Sequence, residues 1–240
     1  MTEHTSKQYD QDLEAIRTRT LQMGGLVEAQ IRAAVDGYLS GDLATIDHVI
    51  ADDAKVNELE LAIDDDLRHV IVRRQPAATD LRLVMAVSKT VTDLERIGDE
   101  AAKIARMAKE IHAAAAKMAR PRLATMTHVA EVSCGMLRKA LDAFARLDAA
   151  AAARVIAEDA TIDTEFRAIL RQLVTFMMED PRTISNSLHI VWVAKAFERI
   201  GDHAKNIAEQ VIYIVKGRDV RHIPLAEIER EALGAPALRQ

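Results

Sequence analysis

The chain has 240 residues, of which 49% are hydrophobic and 29% are charged, so it contains enough apolar material for a folded core. Aromatic residues make up only 3%, and the nine glycines and five prolines are few, a composition that favours helices over β-sheet. The net charge of −5 supplies no overall positive field for a phosphate backbone, so we predict an all-α protein that does not bind nucleic acid.

Six long segments follow one another along the chain, each with helical periodicity. Apolar residues recur three, four or seven positions apart, as Val49, Val56 and Ile63 do in the second segment. Glycine or proline separates the segments. The predicted helices are Thr5–Ser40, Leu43–Arg74, Thr79–Met118, Arg122–Arg146, Ala149–Glu179 and Thr183–Lys216. Beyond them lies a tail with at most a short helix, and no segment is apolar enough for a membrane span.

The second half of the chain repeats the first. Asp42 and Val49 recur 106 residues later as Asp148 and Val155. The pentapeptide Glu-Arg-Ile-Gly-Asp at 95–99 recurs 103 residues later at 198–202. A shortened connection accounts for the difference, since loops absorb deletions readily. We predict two tandem three-helix bundles, at 1–118 and 119–217, followed by a C-terminal tail at 218–240.

Each pentapeptide places two carboxylates one turn apart on one helix face, Glu95 with Asp99 and Glu198 with Asp202. The preceding helix contributes an acid on its apolar stripe, where a carboxylate is costly unless it is paired or binds a metal. This acid is Asp53 in the first repeat. The same position in the second repeat is Asp159. One turn later on the same helix comes Asn57 in the first repeat and Asp163 in the second.

The hairpin geometry predicts that these side chains meet. With the first turn at Ala77, Asp53 and Asp99 lie about 36 and about 33 Å from it at 1.5 Å per residue. The second repeat gives the same match. All-oxygen clusters suit Mg²⁺ or Mn²⁺ and also accept iron or zinc, so a metal site is predicted in each repeat. The predicted metal ligands are Asp53, Asn57, Glu95, Asp99, Asp159, Asp163, Glu198 and Asp202.

The spacing leaves two other interpretations open. The acids could form only ion pairs, with Arg96, Lys103, Arg199 or Lys205 as partners, in a purely structural scaffold. A carboxylate-bridged di-iron protein is less favoured, because that chemistry uses Glu-Xaa-Xaa-His on paired helices. Here the third residue after each glutamate is glycine, although His203 lies close enough in sequence to join the second site.

Two stretches of the chain resemble the paired signatures of the PhoU family. They are Asp93-Leu94-Glu95-Arg96-Ile97-Gly98-Asp99-Glu100 and Phe197-Glu198-Arg199-Ile200-Gly201-Asp202-His203-Ala204-Lys205-Asn206-Ile207-Ala208-Glu209. Arg73-Arg74-Gln75-Pro76 and Asp80-Leu81-Arg82 are similar to the first family repeat. The resemblance covers nearly the whole chain up to Gly217.

The resemblance implies a function that the spacing does not provide. The family consists of cytoplasmic bacterial regulators that restrain phosphate uptake and the phosphate-starvation response. Its members are understood to link the ATPase subunit of the phosphate ABC transporter to a membrane sensor histidine kinase. We therefore expect a non-enzymatic cytoplasmic adaptor that reaches the inner membrane through these partners, and a homodimer is left open.

The resemblance also implies ligands, because family members bind metal clusters through Glu/Asp-Xaa-Xaa-Xaa-Asp motifs. The motif matches Glu95 with Asp99, and Glu198 with Asp202. It also matches Asp159 with Asp163. Asn57 departs from this pattern and makes the first site poorer in charge.

Overall fold

The computed structural model describes residues 7–115 and 124–233, and these ranges are helical apart from short connections. Within these two ranges the α-helices are α1 (Lys7–Ser40), α2 (Leu43–Arg74), α3 (Ala78–Ala115), α4 (Ala124–Arg146), α5 (Ala149–Glu179), α6 (Ile184–Lys216) and α7 (Leu225–Leu233). The all-α prediction is confirmed, and the bounds of α2 and α5 agree with the sequence analysis. The predicted helical residues 5–6, 116–118 and 122–123 lie outside the described residues.

Capping residues explain why the helices begin and end where they do. Asp42 accepts a hydrogen bond from the Ala44 amide at 3.1 Å at the start of α2. Asp148, its equivalent in the second repeat, accepts one from the Ala151 amide at 2.9 Å. A short 3₁₀ turn at Pro181–Thr183 delays the start of α6 to Ile184, one residue after its predicted start. α6 ends at Lys216, and the following Gly217 caps it with a left-handed φ of 72°.

Each repeat is a three-helix bundle, with α1 to α3 forming the first and α4 to α6 the second. Buried aliphatic side chains such as Ile31, Val56 and Leu94 fill the first bundle. α7 follows the second bundle and packs mainly on α5. The prediction of two tandem three-helix bundles is confirmed.

The two bundles meet chiefly through α3 and α6. The two helices run antiparallel, because Lys103 late in α3 contacts the Trp192 ring early in α6, at 5.3 Å from the ring centroid. Nearer the middle of both helices, the Asp93 carboxylate contacts the His203 ring nitrogen Nδ1 at 2.8 Å. The helices with the paired carboxylates therefore form the seam between the repeats.

Candidate metal centre

The first repeat brings three of its predicted ligands together between α2 and α3. Burial raises the pKa of Asp53, and the nearby charge of Asp99 raises it further. Burial also raises the pKa of Glu95, with further contributions from Asp99 and Asp53. Because these carboxylates disfavour one another's ionisation, a positive charge bound between them would be stabilising.

Glu60 on α2 is a fourth acid at this place, and the sequence analysis missed it. Burial raises the pKa of Glu60, and the charge of Glu95 is the next largest cause. Glu60 lies seven residues after Asp53, two turns along the same face, so helical spacing contained the signal. Asn57 is exposed, whereas Glu60 is half-buried. We refer to Asp53, Glu60, Glu95 and Asp99 as the first cluster.

The second repeat gathers all four of its predicted ligands. Burial together with the charges of Glu198, Asp159 and Asp163 raises the pKa of Asp202 to about 6. Asp202 lies on α6 one turn after Glu198, and the two other aspartates lie one turn apart on α5. We refer to Asp159, Asp163, Glu198 and Asp202 as the second cluster.

Basic side chains contact both clusters. At the first cluster, the Arg96 guanidinium lies 3.4 Å from a Glu95 carboxylate oxygen and 3.5 Å from one of Asp99. At the second, Lys205 Nζ donates to Asp159 Oδ2 at 2.7 Å. Lys195 also donates to Glu198. The ion pairs proposed from the sequence for Arg96 and Lys205 are therefore present, and any bound cation competes with them.

Other polar residues named in the sequence analysis serve the seam between the repeats instead. His203 Nδ1 contacts Asp93 of the first repeat, and the Asn206 amide donates to the same carboxylate at 3.0 Å. Arg199 and Lys103 both pair with the buried Glu100. These contacts join α3 to α6.

The two mid-helix glycines allow the ligand-bearing helices to approach closely. A Cβ on Gly98 would lie 3.2 Å from Val56 Cγ1 of α2. A Cβ on Gly201 would lie 2.6 Å from Ile162 Cδ1 of α5. Glycine therefore brings α3 against α2 and α6 against α5 beside the clusters.

The donor chemistry of both clusters fits a hard cation. The buried Asp53 Oδ1 has no hydrogen-bond partner among residues 7–115 and 124–233, which leaves a carboxylate oxygen free for an ion. In the same ranges, no three Asp, Glu, His or Cys side chains converge closely enough to hold one ion as they stand. Ion binding therefore requires the carboxylates to move closer together, and the metal itself stays a prediction.

These features define a class of two-repeat helical proteins in which the second and third helices of each repeat carry an acidic cluster. The family model described as "PhoU domain" matches the chain twice, at residues 20–108 and 126–211. The chain belongs to the PhoU family.

Relatives and solved structures agree over nearly the whole chain. The chain is 47% identical to the "Phosphate-specific transport system accessory protein PhoU homolog" of Pseudomonas aeruginosa, over 96% of this chain and 95% of that protein. It is 42% identical to the similarly named protein of Escherichia coli K12, over 98% and 96%. The crystal structure of PhoU from Pseudomonas aeruginosa superposes with a TM-score of 0.83 at 46% identity, covering 88% of this chain and all of that one. PhoU from Streptococcus pneumoniae superposes at 0.79 with 26% identity, over 88% and 99%.

Helix composition also bears on membrane insertion. Within the described ranges, no helix has an apolar stretch of the length and hydropathy that a bilayer span requires.

Proposed function

We propose that this protein is a metal-binding regulator that restrains phosphate uptake and the phosphate-starvation response. The observation that carries the proposal is the presence of an acidic cluster at equivalent positions of both repeats, each with carboxyl groups whose ionisation is disfavoured. A divalent cation relieves that repulsion and stabilises the helices that supply the ligands. The names of the relatives, which are accessory proteins of phosphate-specific transport, support the biological setting.

We further propose that the protein acts as an adaptor between the ATPase subunit of the phosphate ABC transporter and a sensor histidine kinase. Large apolar side chains exposed at matching positions of the two repeats support a role in protein contacts. Met85 on α3 is 47% exposed, and its equivalent Leu188 on α6 is 46% exposed. Val72 and its equivalent Met178 are 76% and 79% exposed. Duplication has kept these positions apolar although the residues differ.

Deletion of the gene in its host tests the regulatory proposal. We expect phosphatase expression to rise in phosphate-rich medium, and the wild-type gene to restore repression. A gene carrying Asp53→Asn and Asp202→Asn should restore less repression than one carrying Asp142→Asn, an exposed aspartate of α4. Unchanged repression in the deletion strain would contradict the regulatory role.

Recovery of partners from host membranes tests the adaptor proposal. The kinase and the transporter ATPase should be retained by the wild-type protein. Retention should fall with Met85→Gln or Leu188→Gln and with a chelator. Equal retention by all of these samples would contradict both the proposed surface and its dependence on metal.

A structural scaffold is the second candidate, because Arg96 and Lys205 already pair with the acids. Metal analysis of protein purified without chelator separates the two candidates. A regulator with metal sites should contain bound ion and should unfold at higher temperature with Mn²⁺ or Mg²⁺. A scaffold should contain no ion and should show no such shift.

A further inference from the structure

A buried side chain from a third helix reaches the first cluster. Gln30 lies on α1 and is only 4% exposed. Its Nε2 donates to the Val49 carbonyl of α2 at 3.3 Å, and this bond fixes the orientation of the amide group. Val49 precedes Asp53 by one helical turn, so the amide lies beside the buried carboxylate of the first cluster.

Within the part of the chain that the structure describes, the Gln30 amide oxygen has no hydrogen-bond partner. Among the described residues, neither Gln30 Oε1 nor Asp53 Oδ1 accepts a hydrogen bond, although both atoms are buried. A Cβ on Gly98 would lie 3.3 Å from Gln30 Oε1, so the oxygen lies against α3 one residue before Asp99. A hydrogen bond from the Gln30 side chain also lowers the pKa of Asp53, so this amide lies at the first cluster. Each buried acceptor oxygen without a partner costs free energy, and a cation bound at this place would satisfy both.

The second repeat shows that burial alone does not require an amide at this place. Met136 is the equivalent of Gln30, 106 residues later on α4, and it is fully buried. A methionine of similar volume therefore fills the same position in the second bundle without any polar atom to satisfy. The first bundle carries the more costly residue next to its cluster.

We propose that the first cluster binds a hard divalent cation from three helices, with the Gln30 amide oxygen of α1 as a neutral ligand beside Asp53, Glu95 and Asp99. This inference rests on the proposed metal-binding function and adds a ligand that lies outside the acidic motifs. Amide and carboxylate oxygens are donors that Ca²⁺, Mg²⁺ and Mn²⁺ accept, whereas zinc favours nitrogen and sulfur. The ion would also tie α1 to the α2–α3 hairpin.

Titration of the full chain with Mn²⁺, after removal of metal by chelation, tests this assignment. The double variant Asp159→Asn with Asp202→Asn weakens the second cluster and leaves the first to be measured alone. In that background, Gln30→Met should weaken Mn²⁺ binding about tenfold, equivalent to about 1.4 kcal/mol. Gln30→Glu, which keeps an oxygen at this position, should retain tight binding.

The gain in stability on adding Mn²⁺ to the same variants separates a ligand from a structural amide. Gln30→Met also removes the hydrogen bond to the Val49 carbonyl, so its metal-free unfolding temperature does not decide the question. A ligand predicts that Mn²⁺ raises the unfolding temperature less in Gln30→Met than in the chain that keeps Gln30. Unchanged Mn²⁺ affinity in Gln30→Met would overturn the inference and leave the proposed function standing. Lack of Mn²⁺ binding by the wild-type chain at either cluster would overturn the metal-binding function itself.

Discussion

The first and second clusters share three equivalent positions in the two repeats, yet different basic side chains compensate their charge. In the second cluster, Lys205 lies within the site, bonded to Asp159 at 2.7 Å. The equivalent residue in the first repeat is Ala102, so the positive charges near that cluster are Arg96, which pairs with Glu95 and Asp99, and Arg106, whose charge lowers the pKa of Asp53. The same hairpin therefore presents four carboxylates with a built-in ammonium in one repeat, and a less shielded carboxylate set in the other.

This difference indicates that the two sites respond differently to a cation. At the second cluster an ion must displace two bonded lysines, Lys205 from Asp159 and Lys195 from Glu198, and it gains four carboxylates in return. At the first cluster an ion meets an Asp53 oxygen that has no hydrogen-bond partner among the described residues, and it displaces the solvent-exposed Arg96 guanidinium. The predictions below test whether the clusters behave as two distinct sites.

Removal of the most perturbed carboxylate should produce the largest effect. Asp202→Asn takes away the group whose pKa the second cluster raises to about 6. We expect Mn²⁺ affinity at the second site to fall by about 100-fold, since even indirect partners of a metal contribute 10- to 100-fold. Calorimetric titration of metal-free protein measures it.

The control for this change is Asp142→Asn, which removes an exposed carboxylate from α4. The control should leave the titration unchanged, and the first site should keep its affinity in both variants. A parallel loss at both sites would show that the clusters act as one coupled unit.

Removal of the internal ammonium should have the opposite sign. Lys205→Met preserves most of the side-chain volume and frees Asp159, so Mn²⁺ should bind the second site about tenfold more tightly. The metal-free protein should lose stability, because four carboxylates then face one another with less compensation. Paired titration and thermal unfolding measure the two effects.

Lys139→Met is the matched control, because Lys139 Nζ makes a 2.7 Å ion pair with Glu158 on the exposed surface between α4 and α5. Its loss should not alter Mn²⁺ binding. A fall in affinity after Lys205→Met would mean that the lysine supports the site rather than competing with the ion.

The second cluster should also make metal-free stability depend on pH. The pKa of Asp202 rises from its ordinary value of 3.8 to about 6 on folding, so the folded chain keeps a proton that the unfolded chain has released. Its contribution is greatest below about pH 4 and is lost as the pH rises through 6. A fully buried group would lose about 3 kcal/mol, and screening by solvent reduces the expected loss to about 1 kcal/mol.

Urea unfolding in the presence of a chelator, compared between wild type and Asp202→Asn, isolates this contribution. The wild type should lose about 1 kcal/mol more than the variant between about pH 4.5 and pH 7. Addition of Mn²⁺ at pH 7 should stabilise the wild type more than the variant, which keeps only the first site. Identical pH profiles for the two proteins would contradict the raised pKa.

Helical spacing and chain reversal were sufficient to predict the fold and the meeting of the acids along each hairpin. Nearly equal distances from the turn place two residues at the same level along the hairpin, and Asp53 and Asp99 accordingly lie close together. They do not fix which side of a helix faces the partner, so Asn57 was expected inside and is exposed. Gln30 was not predictable either, because its position depends on how α1 packs across the hairpin. The pairing of His203 with Asp93 depends on the antiparallel seam, which is set by contacts between repeats.

Restoration of the missing carboxylate should bring the first cluster closer to the second. Asn57→Asp places on α2 the residue type that Asp163 supplies on α5, and it should raise Mn²⁺ affinity about threefold in the Asp159→Asn, Asp202→Asn background. The gain is small because the side chain is exposed and water screens its charge. Gln22→Glu, which adds the same charge to the exposed surface of α1, is the control.

The size of that gain distinguishes a ligand from a nearby charge. A gain of about tenfold or more would mean that residue 57 turns inward and binds the ion directly, since a direct carboxylate ligand contributes more than a screened one. Salt separates the two cases further, because screening removes the contribution of a distant charge and leaves a bound one largely intact. A gain equal to that of Gln22→Glu would show that residue 57 acts only as a distant charge, and that α2 supplies the site through Asp53 and Glu60 alone.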